Sequence, residues 1–381
     1  MDDDAEEQLL NLLLMGAGAL LMMMDDEEAD EQEPVVWEGV PVDINHFLQM
    51  RNEAFRLHFR MNTETFEDLV HVIGNYIGEE ENVRRNENLD LRRLLLPVLW
   101  ILATPDTFRS VAMQFELTPA LLHFHYAVII FVLSELSERY VRWPLPGERN
   151  AISDVCEARS GFPGVVGAVD ASYIPLCTAP VIEAQRYVNR HHDYAVSLQG
   201  VVDPALVFRD IYVGEPGSLH DSRVFRRSPL SRRLLEDDTL LDQDQHILGD
   251  SAYILTDKVL TPYRNNGNLT VRQTNYNAML SSSRSMVERA FGLLKMKWRR
   301  LFFLSARKPV LVVRTIVASV VLHNFLILRG EAPDVGEPEE PHGNVPIDHP
   351  NVQIEPDHPL LAGATARGVE KRYHITNNLP L

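Results

Sequence analysis

The chain has 381 residues, an apolar share of 45% and a formal net charge of −18. That length allows one large domain or two smaller ones, with enough apolar side chains for a real core. Two cysteines, Cys156 and Cys177, with no CxxC pair, argue against a disulfide framework or a structural zinc site and fit a reducing compartment.

The net charge argues against a nucleic-acid partner only when it is taken whole. Residues 1–33 hold twelve acids and no Lys or Arg, and residues 331–381 hold nine acids against three bases. The body between them is neutral, with 33 of each sign. Its positive charge gathers late: from Lys258 to Arg314 there are twelve bases and a single acid, Glu288.

Residues 1–33 are expected to form a partner-binding or flexible extension, with a membrane-associated segment as the alternative. The run "LLNLLLMGAGALLMMM" (9–24) is preceded by acids where a signal peptide needs positive charge, and it is short for a membrane span. No membrane partner is expected.

Residues 34–150 have a helical pattern. "NTETFEDLVHVIGNYIG" opens on an Asn/Thr cap and sets Phe66, Leu69, Val70 and Ile73 on one face before ending near Gly78. "LRRLLLPVLWILAT" is a second apolar segment that Pro97 should kink or break. "TFRSVAMQFELTPALLHFHYAVIIFVLSEL" (107–136) predicts helix, turn, helix, with Thr118 as a cap. It is either a helix-turn-helix DNA reader or a plain helical hairpin. Its second helix offers His123 and His125 but no Arg or Lys.

From 161 to 330 the pattern becomes α/β. "GVVGAVDASYIPL", "AVSLQGVVD" and "LVFRDIYVG" predict consecutive strands, the last two separated by the turn "DPA", and "HILGDSAYI" predicts a fourth. Helical segments follow, with Val287, Ala290, Phe291, Leu294 and Leu301 spaced for one buried face and Trp298 expected in the core. The 331–381 tail, rich in Pro and acids, should be largely flexible, although "GVEKRYHITNNLPL" regains enough apolar periodicity to dock as a short helix.

Four carboxylates stand out. Asp170 interrupts an apolar strand, where an unpaired charge is costly. Asp250 ends another strand, Asp221 sits in the Gly- and Pro-punctuated "GEPGSLHDSRVF", and Glu288 stands alone among bases. Strand-end aspartates can converge with a glutamate from a helix lying across the sheet. Such a cluster must take up protons or bind a hard divalent cation, Mg²⁺ or Mn²⁺. Each residue also has a bland reading: Asp170 or Asp250 as a turn cap, Asp221 as an Asx-turn acceptor, Glu288 as the i+4 partner of Arg284.

Six motifs, "GFPGVVGAVDASYIPL", "YVNRHHDYAVSLQGVVD", "GEPGSLHDSRVFRRSPL", "ILGDSAYIL", "YNAMLSSSRSMVERAFGLLKMKWRRL" and "ASVVLHNFLI", occur in the order found in PIF/Harbinger transposases. The chain resembles that DDE family over roughly 50–329, and in particular its domesticated nuclease derivatives in animals. The resemblance implies an RNase H-like mixed sheet flanked by helices, preceded by an all-helical region with a helix-turn-helix-like hairpin. It also implies a DDE triad of Asp170, Asp250 and Glu288, with Asp221 as a further metal-site acid. The implied activity is Mg²⁺- or Mn²⁺-dependent cleavage of DNA by a two-metal mechanism, with a Myb/SANT-like DNA-binding partner and a nuclear location that leaves room for a cytoplasmic pool. Arg190, Arg284, Lys295 and Arg299 are the bases expected to meet phosphates. The chain departs from the family at Asn189-Arg190-His191, where Asn-Arg-Lys is common, and in its long acidic ends. The alternative is a catalytically silent domesticated protein acting in chromatin or transcription.

Overall fold

A computed structural model describes residues 44–81, 90–180, 183–189, 192–305, 309–331 and 358–380. The 1–33 extension, its apolar run and residues 332–357 of the tail therefore lie outside the described residues. Contacts divide the chain into two interleaved units. One comprises Met1–Tyr140, Ile174–Ala184 and Leu294–Asp334, the other Val141–Tyr173, Gln185–Leu293 and Val335–Leu381.

The first unit is built on helices. Thr63–Glu81 buries Phe66, Leu69, Val70 and Ile73, the face its spacing predicts, and runs three residues past Gly78. Leu91–Ala103 starts at Asp90, whose carboxylate accepts the Arg92 N–H at 3.2 Å. This helix passes through Pro97 without a break. A mid-helix proline costs about 3 kcal/mol, and burial of every residue from 95 to 103 offsets that loss.

Phe108–Gln114 and Pro119–Glu135 meet at 102°, within the helix-turn-helix range. Thr107 and Thr118 cap them by accepting the N–H groups of Ser110 and Leu121. The second of these helices is nevertheless a core element. It packs on the apolar helix Pro309–Leu328, with the Tyr126 hydroxyl 2.8 Å from that of Thr315. His125 is buried, and burial pushes its pKa down to about 4. His123 stacks on Phe108 at 4.0 Å. This packing favours the plain hairpin over a DNA-reading head. Pro309–Leu328 is long and apolar enough to cross a membrane, but its most apolar window is 72% buried in the fold.

The second unit holds a five-stranded sheet of order β3-β2-β1-β4-β5, with β1 Val165–Pro175, β2 Ala195–Val202, β3 Phe208–Pro216, β4 His246–Leu248 and β5 Val259–Leu260. β2 and β3 pair antiparallel, while β1, β4 and β5 run parallel. β2 is buried at every position, as expected of a strand covered on both faces. This mixed sheet flanked by helices is the RNase H-like architecture that the sequence predicts.

Two features differ from expectation. The strand read as "HILGDSAYI" stops at Leu248, because the Asp250 carboxylate accepts the Ala252 N–H at 2.8 Å and turns the chain. The short docked helix expected of "GVEKRYHITNNLPL" is present but starts earlier, as the 18-residue helix Leu361–Asn378 on the sheet edge beside β5. Gly368 is its point of closest approach: a Cβ there would lie 2.4 Å from the Thr256 carbonyl carbon. Arg367 pairs with Asp257, and the Lys371 ammonium donates to the carbonyls of Gln243, Gln245 and Asp257.

Gly368→Leu should therefore undock this helix, at an overpacking cost of about 1–3 kcal/mol. Amide hydrogen exchange will show faster exchange across 361–378 with β1 and β2 still protected. Unchanged protection in 361–378 would contradict the docking.

Candidate active site

The sheet brings the acids together through its parallel strands. Asp170 lies on central β1 and is 9% exposed. Asp250 lies two residues past the end of β4, the parallel neighbour of β1, so both project from the same edge. Gly249 makes this possible: a Cβ there would meet the Tyr253 side chain at 2.9 Å. Asp221 opens the helix Asp221–Arg227, where the His220 ring accepts the Ser222 N–H. Asp170, Asp221 and Asp250 can each offer one oxygen, with the three oxygens within 4.8 Å of one another.

Glu288 is not in that trio. It sits on the long helix Val271–Lys297, side chain 46% exposed, and is joined to the cluster through Arg284. The Arg284 guanidinium is 2.7 Å from an Asp170 oxygen and 3.4 Å from a Glu288 oxygen. The i+4 pair considered from the sequence is thus present, but it is the weaker arm of a bridge. Arg284 itself was expected to meet phosphate. Its side chain is instead largely buried and committed to carboxylates, because the helix faces β1 at this turn.

Burial raises the Asp170 pKa to about 6. The Arg284 charge and the Ala171 N–H oppose that rise, while Asp250 and Glu288 add to it. Two carboxylates ~4 Å apart repel by roughly 4 kcal/mol at an effective dielectric near 20. An all-oxygen donor set under such repulsion fits a hard divalent cation. Tyr253, which the sequence reading did not single out, belongs to this environment. Among the described residues its buried hydroxyl has no hydrogen-bond partner, and burial, then the three aspartates, push its pKa well up. Its place in "GDSAY", three residues after Asp250, is the only sequence signal for it.

The remaining expected bases divide. Lys295 is half-buried, and burial lowers its pKa to about 8, which weakens it as a phosphate ligand. Arg299 is exposed at the start of a short 3₁₀ turn. Arg190 lies outside the described residues. Trp298 is fully buried in the core, as expected.

A model of the DDE superfamily endonuclease domain matches residues 169–324, a span that holds all four acids. Relatives agree. The putative nuclease HARBI1 of Homo sapiens is 28% identical over 217 residues, covering 55% of this chain and 60% of that protein. Over residues 169–324 the chain thus resembles the DDE superfamily endonucleases. The ALP1-like protein of Arabidopsis thaliana is also 28% identical, covering 51% of this chain and 50% of that protein. The Arabidopsis protein named Antagonist of Like Heterochromatin Protein 1 is 25% identical over a longer stretch, 73% of this chain and 74% of that protein. The chain thus spans from about half to three quarters of the length of these relatives. No solved structure matches it.

Asp170 also sets a pH dependence. Its raised pKa means that the folded state holds a proton more tightly than the unfolded state does. The associated stability is present below about pH 4 and is lost as pH rises through about 6. In chelator, the wild type should lose up to about 3 kcal/mol relative to Asp170→Asn between about pH 4 and pH 7. Denaturant unfolding of both proteins across that range checks this; parallel curves would contradict it.

Proposed function

We propose that this protein is a divalent-metal-dependent DNA endonuclease derived from a Harbinger-type transposase, cleaving phosphodiester bonds by a two-metal mechanism. The observation that carries the reading is the convergence of Asp170, Asp221 and Asp250 within 4.8 Å inside a DDE domain. Asp170, Asp221 and Asp250 would hold the metal, Mg²⁺ or Mn²⁺, with Glu288 completing the set from the helix. The ions would supply an activated water or hydroxyl nucleophile and neutralise charge at the leaving 3′ oxygen.

The chain's own residues do the positioning. Asp170 is fixed by burial in β1 and by the Ala171 N–H, which its carboxylate accepts at 2.8 Å. Asp250 is fixed by the turn it makes with Ala252. Arg284 holds Asp170 and Glu288 in register, and the buried Tyr253 side chain packs against Gly249, next to Asp250.

DNA is the proposed substrate, and the proposed location is the nucleus, with a cytoplasmic pool. A Myb/SANT-like partner is proposed to supply target recognition, since the hairpin helix Pro119–Glu135 is given over to core packing.

Purified protein, with and without a Myb-like partner, should nick supercoiled DNA in Mg²⁺ or Mn²⁺. Asp250→Asn should reduce nicking by more than about 100-fold, the upper end of what outer-shell changes cost at metal sites. No nicking in either metal, or equal nicking by Asp250→Asn, would overturn the proposal and favour a silent interaction protein.

A further inference from the structure

A groove of about 520 Å³ lies in the second unit beside the acid cluster, walled by the turn 251–255 that follows Asp250. The size falls in the ~300–1,000 Å³ range of ligand pockets. Three arginines from separate segments line it: Arg226 at the end of the helix that Asp221 opens, Arg264 in the loop after β5, and Arg372 from the docked helix Leu361–Asn378. The lining also carries the hydroxyl residues Ser222, Ser251 and Thr261, and it includes no carboxylate. In a chain of net charge −18, a cleft with three guanidinium groups and no acid is a local reversal of sign. Its low-dielectric walls focus that field on whatever enters.

Arg372 is held in place as a built element. Its guanidinium lies over the Tyr263 ring at 4.1 Å and donates to the carbonyls of Thr261 and Pro262 at 3.3 and 3.2 Å. Its Nε is buried without a partner among the described residues. Among the described residues, no carboxylate pairs with Arg372 or with the exposed Arg264. Carbonyl contacts orient the Arg372 charge without neutralising it, which leaves it available to an anion.

We infer that this groove binds the phosphate backbone of a nucleic-acid strand passing the acid cluster, and that Arg372 of the C-terminal helix is one of its phosphate ligands. The inference rests on the nuclease reading for the identity of the anion. Two cluster acids adjoin the groove along the chain, Asp250 next to Ser251 and Asp221 next to Ser222, so a strand in the groove continues to the carboxylates. The endonuclease match ends at residue 324, so the binding surface extends beyond the matched domain into the C-terminal tail.

The test is fluorescence anisotropy of the full chain with labelled duplex and single-stranded DNA in chelator, across 50 to 200 mM salt. The proteins are wild type, Arg264→Gln, Arg372→Gln and Asp250→Asn. Each lost phosphate contact should reduce the slope of log K against log salt by about 0.7 for single strands and about 0.9 for duplex. Arg264→Gln and Arg372→Gln should show that reduction with thermal unfolding unchanged for the loop variant Arg264→Gln. Asp250→Asn should keep the wild-type slope. DNA binding with unaltered slopes in both arginine variants overturns the groove and leaves the nuclease reading intact. Altered slopes in a protein that binds but never nicks DNA support the groove and overturn the nuclease reading. If the substitutions change only the binding of inorganic phosphate and not of DNA, the strand assignment is wrong.

Discussion

Three aspartates brought within 4.8 Å of one another around the central strand of a buried sheet are the constraint on which the rest of this structure depends. Asp170 could not remain ionised on an apolar central strand without compensation, which comes first from Arg284, reaching over from the long helix, and then from the Ala171 N–H. That guanidinium also touches Glu288. The bridge therefore couples the strand-borne acids to the helix-borne one and sets the turn at which the helix lies over the sheet.

The scaffold serves this cluster through backbone economy. Parallel pairing of β1 with β4 delivers Asp170 and Asp250 to the same edge. Gly249 allows the chain to fold back on Tyr253, and the Asp250 turn ends the strand where the acid is needed. The same turn forms a wall of the arginine groove, so the cluster and the groove share a structural element with charges of opposite sign on either side. The C-terminal helix then supplies the groove's third arginine while sealing the short outer strand β5, whose two residues alone would leave an open edge.

Much of this was legible in the sequence, for identifiable reasons. β1, β2 and β3 carry long apolar runs, and "DPA" marks the turn between the last two. The aspartate in "GAVD" was conspicuous because an ionised group on an apolar strand is costly. The rest was hidden by distance or brevity. The Arg284–Asp170 bridge spans 114 positions, so local spacing found only the i+4 contact with Glu288. β5 is too short to have a period. The periodicity of "GVEKRYHITNNLPL" marked the second part of the helix Leu361–Asn378, but its first turns lie in a stretch whose composition reads as flexible. Periodicity also found both helices of the 107–136 hairpin, but the packing of the second on the helix Pro309–Leu328, seen in the Tyr126–Thr315 contact at a separation of 189, lies beyond local spacing.

The central claim is that the aspartate cluster is a divalent-cation site. Titration of Mn²⁺ into the full chain, with the free ion followed by electron paramagnetic resonance, tests it most directly. The account predicts saturable loss of the free-ion signal for the wild type and its retention when Asp170, Asp221 and Asp250 are together replaced by Asn. Equal uptake by both proteins, or none by the wild type at millimolar Mn²⁺, would contradict it.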